Sequence, residues 1–270
     1  MKSITLNSRA SIPVLGLGTW RLTGAAGADA VAYALSAGYS HIDTADIYGN
    51  HRDIAAGIRM AGVKREQIFI TTKVWNKDHS REGVLRSGGR FLEELETEYI
   101  DLLLVHWPIH EVPVEETLCA MDELKRQGSV RAVGVANFTV YHLRNALASG
   151  VEITNNQVEV RPDFAQPDLR AFCSSHNIPV TAHSSLRAGS AELSAVAELA
   201  GKYGKTPAQM IINWTVARGM IAIPKSARPE KIKENIESLD FEIDENDLQK
   251  MDHIPQNERG VVPSWGEFDR

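Results

Sequence analysis

The chain has 270 residues, enough to bury a large core, and its 43% hydrophobic and 24% charged composition is that of an ordinary globular protein. A formal net charge of -6 argues against a surface for nucleic acid or anionic membranes. With no apolar run of 18 residues and no signal-peptide pattern, we expect a cytoplasmic protein without transmembrane helices. Cys119 and Cys173 lack CxxC spacing, and we expect both thiols to be reduced, buried and inert.

Short apolar or β-branched runs alternate with helical patterns along the chain. Before the first run, residues 3–6 and 11–13 predict a small hairpin that plugs the bottom of a barrel. Runs that are apolar on successive residues are typical of parallel strands buried on both faces. The predicted strands are residues 14–17, 41–43, 68–73, 101–106, 130–136, 153–159, 179–183 and 220–223.

Helical signals lie between these strands. Residues 30–35 carry an apolar face, and Thr206 and Pro207 predict an N-cap and the first residue of a helix. Pro229 opens what we expect to be the last helix, over residues 230–238. Eight strands, each followed by a helix, predict a single-domain (β/α)8 TIM barrel over residues 1–270.

Polar residues follow the apolar part of seven of the eight strands. In such barrels the chemistry lies at the carboxyl ends of the strands. These residues are Asp43, Lys73, His106, Asn137, Gln157, Glu159, His183 and Lys225.

Four residues suggest proton transfer to an oxygen. Asp43 and Lys73 end adjacent strands, so an ion pair is expected, and Tyr48 lies in the loop after Asp43. A nearby ammonium lowers the pKa of a phenol, and the carboxylate would keep that ammonium charged. His106 would orient a carbonyl oxygen while a hydride reaches the carbon.

These residues lie in stretches that resemble the aldo-keto reductase family. The stretches are residues 16–20 (GLGTW), 42–50 (IDTADIYGN), 71–75 (TTKVW), 101–108 (DLLLVHWP), 133–138 (VGVANF), 156–159 (NQVE) and 223–226 (IPKS). The overall pattern is most similar to small bacterial members of the diketogluconate or methylglyoxal reductase type.

The resemblance implies an NADPH-dependent reductase with Tyr48 as proton donor, Lys73 and Asp43 as its tuners, and His106 as the orienting residue. The implied cofactor contacts are Thr19, Trp20, Asn137, Gln157, His183, Ser184, Leu186, Lys225, Ser226, Arg228, Lys231, Glu234 and Asn235. The implied walls of the substrate pocket are Trp20, Trp75 and Trp107.

Three segments build the substrate walls in this family, and all three are short here. The loop at residues 107–113, the loop after His183 and the tail after His253 leave an open pocket. We therefore expect small aldehydes, dicarbonyls and open-chain keto-sugars such as 2,5-diketo-D-gluconate as substrates. We also expect a monomer without nucleic-acid or membrane partners.

Three residues depart from the family pattern. Ala136 replaces the usual serine, which removes one hydroxyl contact to the nicotinamide carboxamide. His183 replaces a tyrosine that stacks on the nicotinamide. Lys231 replaces an arginine, which keeps the charge but loses the bidentate fork.

Three other kinds of function can be compared with this pattern: a metal site, a lysine-dependent aldolase and a non-catalytic role. His106 and His110 have a zinc-like spacing, but Pro108 between them makes a helical metal site improbable, and we expect no metal. A lysine-dependent aldolase would need Lys73 to be neutral. The barrel fold also serves as a non-catalytic, NADPH-binding channel-regulatory subunit and as a lens structural protein, so the fold alone does not fix the function.

Overall fold

The computed structural model describes residues 1–6, 10–187, 189–190 and 193–264. Within these residues, an antiparallel hairpin precedes eight parallel strands that alternate with helices, as predicted. The strands are β1 (Ser3–Thr5), β2 (Ser11–Pro13), β3 (Leu17–Gly18), β4 (His41–Asp43), β5 (Phe69–Val74), β6 (Ile100–Val105), β7 (Val130–Ala136), β8 (Asn156–Glu159), β9 (Val180–His183) and β10 (Ile221–Ala222). The helices are α1 (Gly24–Ser36), α2 (His51–Ala61), α3 (Arg81–Glu94), α4 (Val114–Arg126), α5 (Val140–Ala148), α6 (Pro167–Ser175), α7 (Ser194–Tyr203), α8 (Pro207–Ala217), α9 (Pro229–Ile236) and α10 (Glu245–Asp252).

The eight parallel strands close into a barrel. Each strand from β3 to β10 pairs with the next one in chain order. A parallel bridge between Leu15 and Ala222 joins the first strand to the last. Gly16 donates to the Ala222 carbonyl oxygen at 2.8 Å, and Gly18 donates to the Pro224 carbonyl oxygen at 3.1 Å. The first and last strands are therefore neighbours, as a closed (β/α)8 barrel requires.

The hairpin covers one end of the barrel. Ile4 of β1 pairs with Ile12 of β2. Leu6 and Ile12 are fully buried and belong to an apolar cluster inside the barrel that includes Phe69, the first residue of β5. The hairpin thus lies at the amino ends of the strands, as expected, and leaves the opposite end open for a site.

Most predicted strand bounds lie within one residue of the observed ones. The two larger differences are at residues 14–17, where the strand is Leu17–Gly18, and at residues 153–159, where it begins at Asn156. In the second case, the amide and hydroxyl of Thr154 both donate to the Val133 carbonyl oxygen, so residue 154 bonds to β7 outside regular strand pairing.

The structure confirms one predicted helix start and corrects one helix end. The Thr206 hydroxyl accepts from Gln209 N at 3.2 Å, and the Gln209 side chain accepts from Thr206 N at 3.1 Å, which makes a capping box. The helix after Pro229 ends at Ile236, and it is not the last one, because α10 follows. The sequence pattern of α10 is weak because only Leu248 and Met251 of its eight residues are apolar.

The two cysteines differ in exposure. Cys173 is buried, but Cys119 is exposed, so the expectation that both thiols are buried was wrong. At helical spacing, Cys119 lies on the face of α4 opposite the buried residues, which are Thr117, Leu118, Ala120, Met121 and Leu124. None of the helices in the described ranges is long and apolar enough to cross a membrane.

Candidate active site

A buried ion pair lies at the open end of the barrel. Lys73 Nζ of β5 is 2.6 Å from Asp43 Oδ1 of β4 and donates to the Thr44 carbonyl oxygen at 2.8 Å. Both charged side chains are almost fully buried. Gln157 Nε2 from β8, across the barrel, donates to Asp43 Oδ2 at 2.6 Å. The carboxylate is therefore held from two sides, and the ammonium has two acceptors in fixed positions.

Tyr48 lies above this pair in a short 3-10 turn, Asp46–Tyr48. Lys73 Nζ is 5.3 Å from the centre of the Tyr48 ring. The turn is anchored at its start, where Asp46 pairs with Arg90 of α3 at 2.9 Å. It is anchored at its end by Asn50, whose amide is bonded on both its nitrogen and its oxygen.

The charges in the site follow from burial and from the ion pair. Burial raises the pKa of Tyr48, and Lys73 opposes this shift without reversing it, so the expected net lowering was wrong. Burial lowers the pKa of Lys73, but Asp43 and Tyr48 outweigh it and the net shift is upward. Lys73 is thus an ammonium, which argues against the lysine aldolase.

His106 follows β6 and lies beside Tyr48, with 5.9 Å between the ring centres. Burial, and then the charge of Lys73, lower its pKa well below the ordinary value, so the imidazole is neutral. Trp75 meets His106 edge-on at 5.1 Å, and Trp107 stacks beside it at 6.4 Å. The neutral ring is therefore held among aromatic side chains, where it can donate a hydrogen bond.

A cavity of about 540 Å³ is lined by Asp43, Tyr48 and His106. Trp20, which is 48% exposed, stands at its rim with its ring centre 4.8 Å from that of Tyr48. The cavity brings together most of the residues that the sequence singled out. Those lining it are Thr19, Trp20, Asp43, Tyr48, Trp75, His106, Trp107, Asn137, Gln157, His183, Ser184, Leu186 and Lys225.

Asn137 is bonded on both ends of its amide. Its Nδ2 donates to the His106 carbonyl oxygen at 2.9 Å, and its Oδ1 lies 2.8 Å from His183 Nε2. Its φ of 64° is in the left-handed region, which asparagine tolerates better than most residues. Ala136, the residue before it, is fully buried in the inner apolar cluster. The ring of His183, one of the three departures, is thus bonded to the side chain of Asn137.

The basic residues after β10 lie outside the deep part of the cavity. Lys225 and Arg228 are exposed, just before α9 begins at Pro229. Ser226 is half-buried, and its hydroxyl accepts from Arg228 N at 3.1 Å. Lys231 pairs with Glu234 at 2.5 Å, so its charge is shared with a carboxylate.

Glu234 and Asn235 complete the predicted cofactor set. Glu234 also accepts from the Thr206 hydroxyl at 2.8 Å. Asn235 is 4% exposed in α9. The bond from Thr206 ties Glu234 to the start of α8.

Several lining residues were not predicted. The cavity also includes Ile47, Arg187 and Val261. Ile47 is next to Tyr48, so its position follows from the turn. Nothing in the local pattern around Arg187 or Val261 marks them, because both lie in irregular segments that reach the cavity through tertiary contacts.

Comparison with known proteins agrees with this geometry. The Aldo/keto reductase family model matches residues 14–256. A 9,11-endoperoxide prostaglandin H2 reductase of Trypanosoma cruzi is 42% identical over 95% of this chain and 92% of its own length. A methylglyoxal reductase of Escherichia coli is 38% identical over 92% of this chain and 91% of its own.

A solved structure is similar over the same span. An aldo-keto reductase of Bombyx mori in complex with NADP has a TM-score of 0.90 and 32% identity, and the match covers 97% of this chain and 95% of that one. The family match spans the barrel from before its first strand to beyond α10. The chain belongs to the aldo/keto reductase family.

Proposed function

We propose that this protein reduces aldehydes and ketones to alcohols with NADPH, and that small dicarbonyls and open-chain keto-sugars are its substrates. The observation that carries the proposal is the buried Lys73–Asp43 pair beneath Tyr48, beside a neutral His106, in one cavity. This set joins a proton donor, a cation to stabilise its conjugate base and a hydrogen-bond donor for an oxygen.

The residues around the cavity fit NADPH. Asn137 and Gln157 carry amides that match a carboxamide, and both line the cavity beside His106. Lys225, Ser226 and Arg228 precede α9, whose amino terminus adds a partial positive charge. This donor set would hold the nicotinamide at one end and the 2′-phosphate at the other. When bound, NADPH supplies the hydride.

Tyr48 would deliver the proton. Because burial raises its pKa, the phenol is protonated at neutral pH and able to donate to the carbonyl oxygen. Lys73 would stabilise the phenolate that remains, and Asp43 would keep Lys73 charged and in place. His106 would donate a hydrogen bond to the same oxygen and orient it. The substrate carbon gains the hydride and its oxygen gains the proton, which gives the alcohol.

The preference for small substrates is supported by the cavity and by one relative. Trp20, Trp75 and Trp107 are flat walls, and the loop from Trp107 to the start of α4 is short. The Escherichia coli relative is a methylglyoxal reductase, which acts on a small dicarbonyl by its name.

The test is NADPH oxidation with a panel that includes methylglyoxal, an open-chain keto-sugar and a steroid ketone. We expect turnover of the first two. Tyr48→Phe should reduce kcat by roughly 10²- to 10⁴-fold and leave NADPH affinity nearly unchanged. Near-normal turnover by that variant would overturn the mechanism, and turnover of the steroid alone would overturn the substrate class.

A further inference from the structure

Glu159 has no part in the proposed chemistry, yet its side chain is fully buried at the end of β8. Its carboxylate accepts from the backbone N–H of Gly260 at 3.0 Å and of Val261 at 2.9 Å. Arg161 completes its shell with an ion pair. A buried carboxylate needs such partners to remain ionised. The charge of Glu159 is therefore directed at the backbone of residues 260–261.

The residues just before Gly260 are also held by the chain next to Glu159. Arg161 Nη2 donates to the Glu258 carbonyl oxygen at 2.7 Å, and Asn257 N donates to the Asp163 carbonyl oxygen at 2.6 Å. Residues 257–261, here named the tail segment, form neither helix nor strand. The position of the tail segment is thus set by its contacts with residues 159–163.

The tail segment reaches the candidate active site. Val261 lines the cavity that holds Tyr48 and His106. A Cβ on Gly260 would lie 2.7 Å from Glu159 Oε1 and 2.7 Å from Arg187 Nε, so a larger residue there would force the segment or one of these side chains to shift. Arg187 lines the same cavity. The tail segment is therefore tightly packed at Gly260, and its next residue, Val261, forms part of the pocket wall.

We propose that Glu159 is a positioning residue that sets the substrate preference by fixing the tail segment as a pocket wall. The proposal rests on the proposed reductase function. Hydrogen bonds to a charged acceptor are stronger than neutral ones, so a neutral side chain at residue 159 would hold the wall less firmly. A small dicarbonyl touches few other groups and depends on that wall. A bulky aromatic aldehyde also contacts the tryptophans and would gain room when the wall moves.

The test compares methylglyoxal with a naphthaldehyde in Glu159→Gln. We expect kcat/KM for methylglyoxal to fall roughly tenfold, mainly through KM, as for the loss of one charged hydrogen bond. For the naphthaldehyde, kcat/KM should stay level or rise. Gly260→Ala, which wedges the segment away from Glu159, should give the same change, and the double variant should add little to either.

Glu258→Gln is the matched control, because Glu258 contributes only its backbone oxygen to these contacts. It should keep the wild-type substrate ratio. An unchanged ratio in both folded Glu159→Gln and Gly260→Ala, or an equal loss for both substrates, would overturn the proposal.

A second measurement does not depend on turnover. Trypsin should cut after Arg259 faster in Glu159→Gln than in wild type and Glu258→Gln, because the tail segment is released. If wild type reduces no carbonyl, the proposed function fails while this cleavage still reports on the segment. An unchanged cleavage rate in an active enzyme would overturn the role of Glu159 alone.

Discussion

His183 donates a hydrogen bond through Nε2 to Oδ1 of Asn137, and the direction of that bond follows from a neighbour. Asn137 Nδ2 donates to the His106 carbonyl oxygen, so the amide oxygen is the atom that faces the imidazole. An amide oxygen only accepts, so His183 must carry its proton on Nε2. Its Nδ1 then accepts from the Ser184 hydroxyl at 3.0 Å. Burial lowers the pKa of His183 to about 3, which keeps the ring neutral.

This bond predicts a cofactor effect for His183→Phe. Phenylalanine keeps a flat ring but cannot hold the Asn137 amide, so the carboxamide site loses its fixed orientation. A neutral hydrogen bond contributes about 0.5–1.5 kcal/mol, and NADPH should bind roughly two- to tenfold more weakly. Titration of tryptophan fluorescence measures this change. 2′-Phospho-ADP-ribose, which lacks the nicotinamide, should bind both proteins alike, and a parallel loss for it would contradict the role.

Lys225→Ala should separate NADPH from NADH. The 2′-phosphate is the only chemical difference between the two cofactors, and Lys225 stands exposed before α9. Losing one hydrogen bond to a charged group should weaken NADPH binding roughly ten- to a hundredfold and leave NADH nearly unaffected. Kd values for both cofactors measure the difference. An equal loss for both would mean that Lys225 does not contact the phosphate.

Alanine substitutions at the two adjacent glycines of α3 should have different effects on stability. Gly89 is exposed and an added Cβ would meet nothing within 4 Å, so Gly89→Ala should stabilise the fold by up to about 1 kcal/mol. At Gly88 the Cβ would lie 2.6 Å from Leu124 Cδ1 in the core, so Gly88→Ala should be neutral or destabilising. Urea unfolding of the two variants gives the comparison, and equal stabilisation by both would refute the packing argument.

Stability should fall in acid because of His41. This ring is fully buried, and burial, only partly offset by Asp43, lowers its pKa to about 4. Unfolded, it would titrate near its ordinary value, so the unfolded chain binds the proton first as the pH falls. The stability from this group is present above pH 6.5 and is lost toward pH 4, by about 2–3 kcal/mol at pH 4.5.

The variant His41→Gln isolates this contribution. At pH 8 it differs from wild type in packing and in the hydrogen bond to Thr71, and not in charge, because His41 is neutral in both the folded and unfolded wild type. Between pH 8 and 4.5 its free energy of unfolding should drop less than that of wild type. Parallel pH curves for the two proteins would contradict the assignment.

The sequence predicted the structural features that leave a local pattern in the chain. Continuous apolar runs located the eight strands, and Thr206 with Pro207 located a helix start, because strand burial and capping leave a local signature. The strand ends brought Asp43 into an ion pair with Lys73 and into one cavity with His106, since a barrel fixes where its carboxyl ends lie.

The sequence did not predict the features that depend on tertiary contacts. The reason for Gly88 appears only when α4 brings Leu124 against α3. The pKa of Tyr48 depends on how much burial opposes the charge of Lys73, and a linear sequence does not reveal that balance. The link between Glu159 and residues 260–261 joins segments about a hundred positions apart, one of them without regular structure.

The contact between Leu15 and Ala222 that closes the barrel also has a kinetic consequence. The proposed proton-transfer residues lie between Asp43 and His106, whereas the proposed phosphate-binding residues begin at Lys225, and the two sets meet only once the last strand docks on the first. During synthesis the acid–base residues emerge well before the residues that would hold the 2′-phosphate. If the proposed function holds, a nascent chain should gain activity only once β10 has been made and has docked on the first strand.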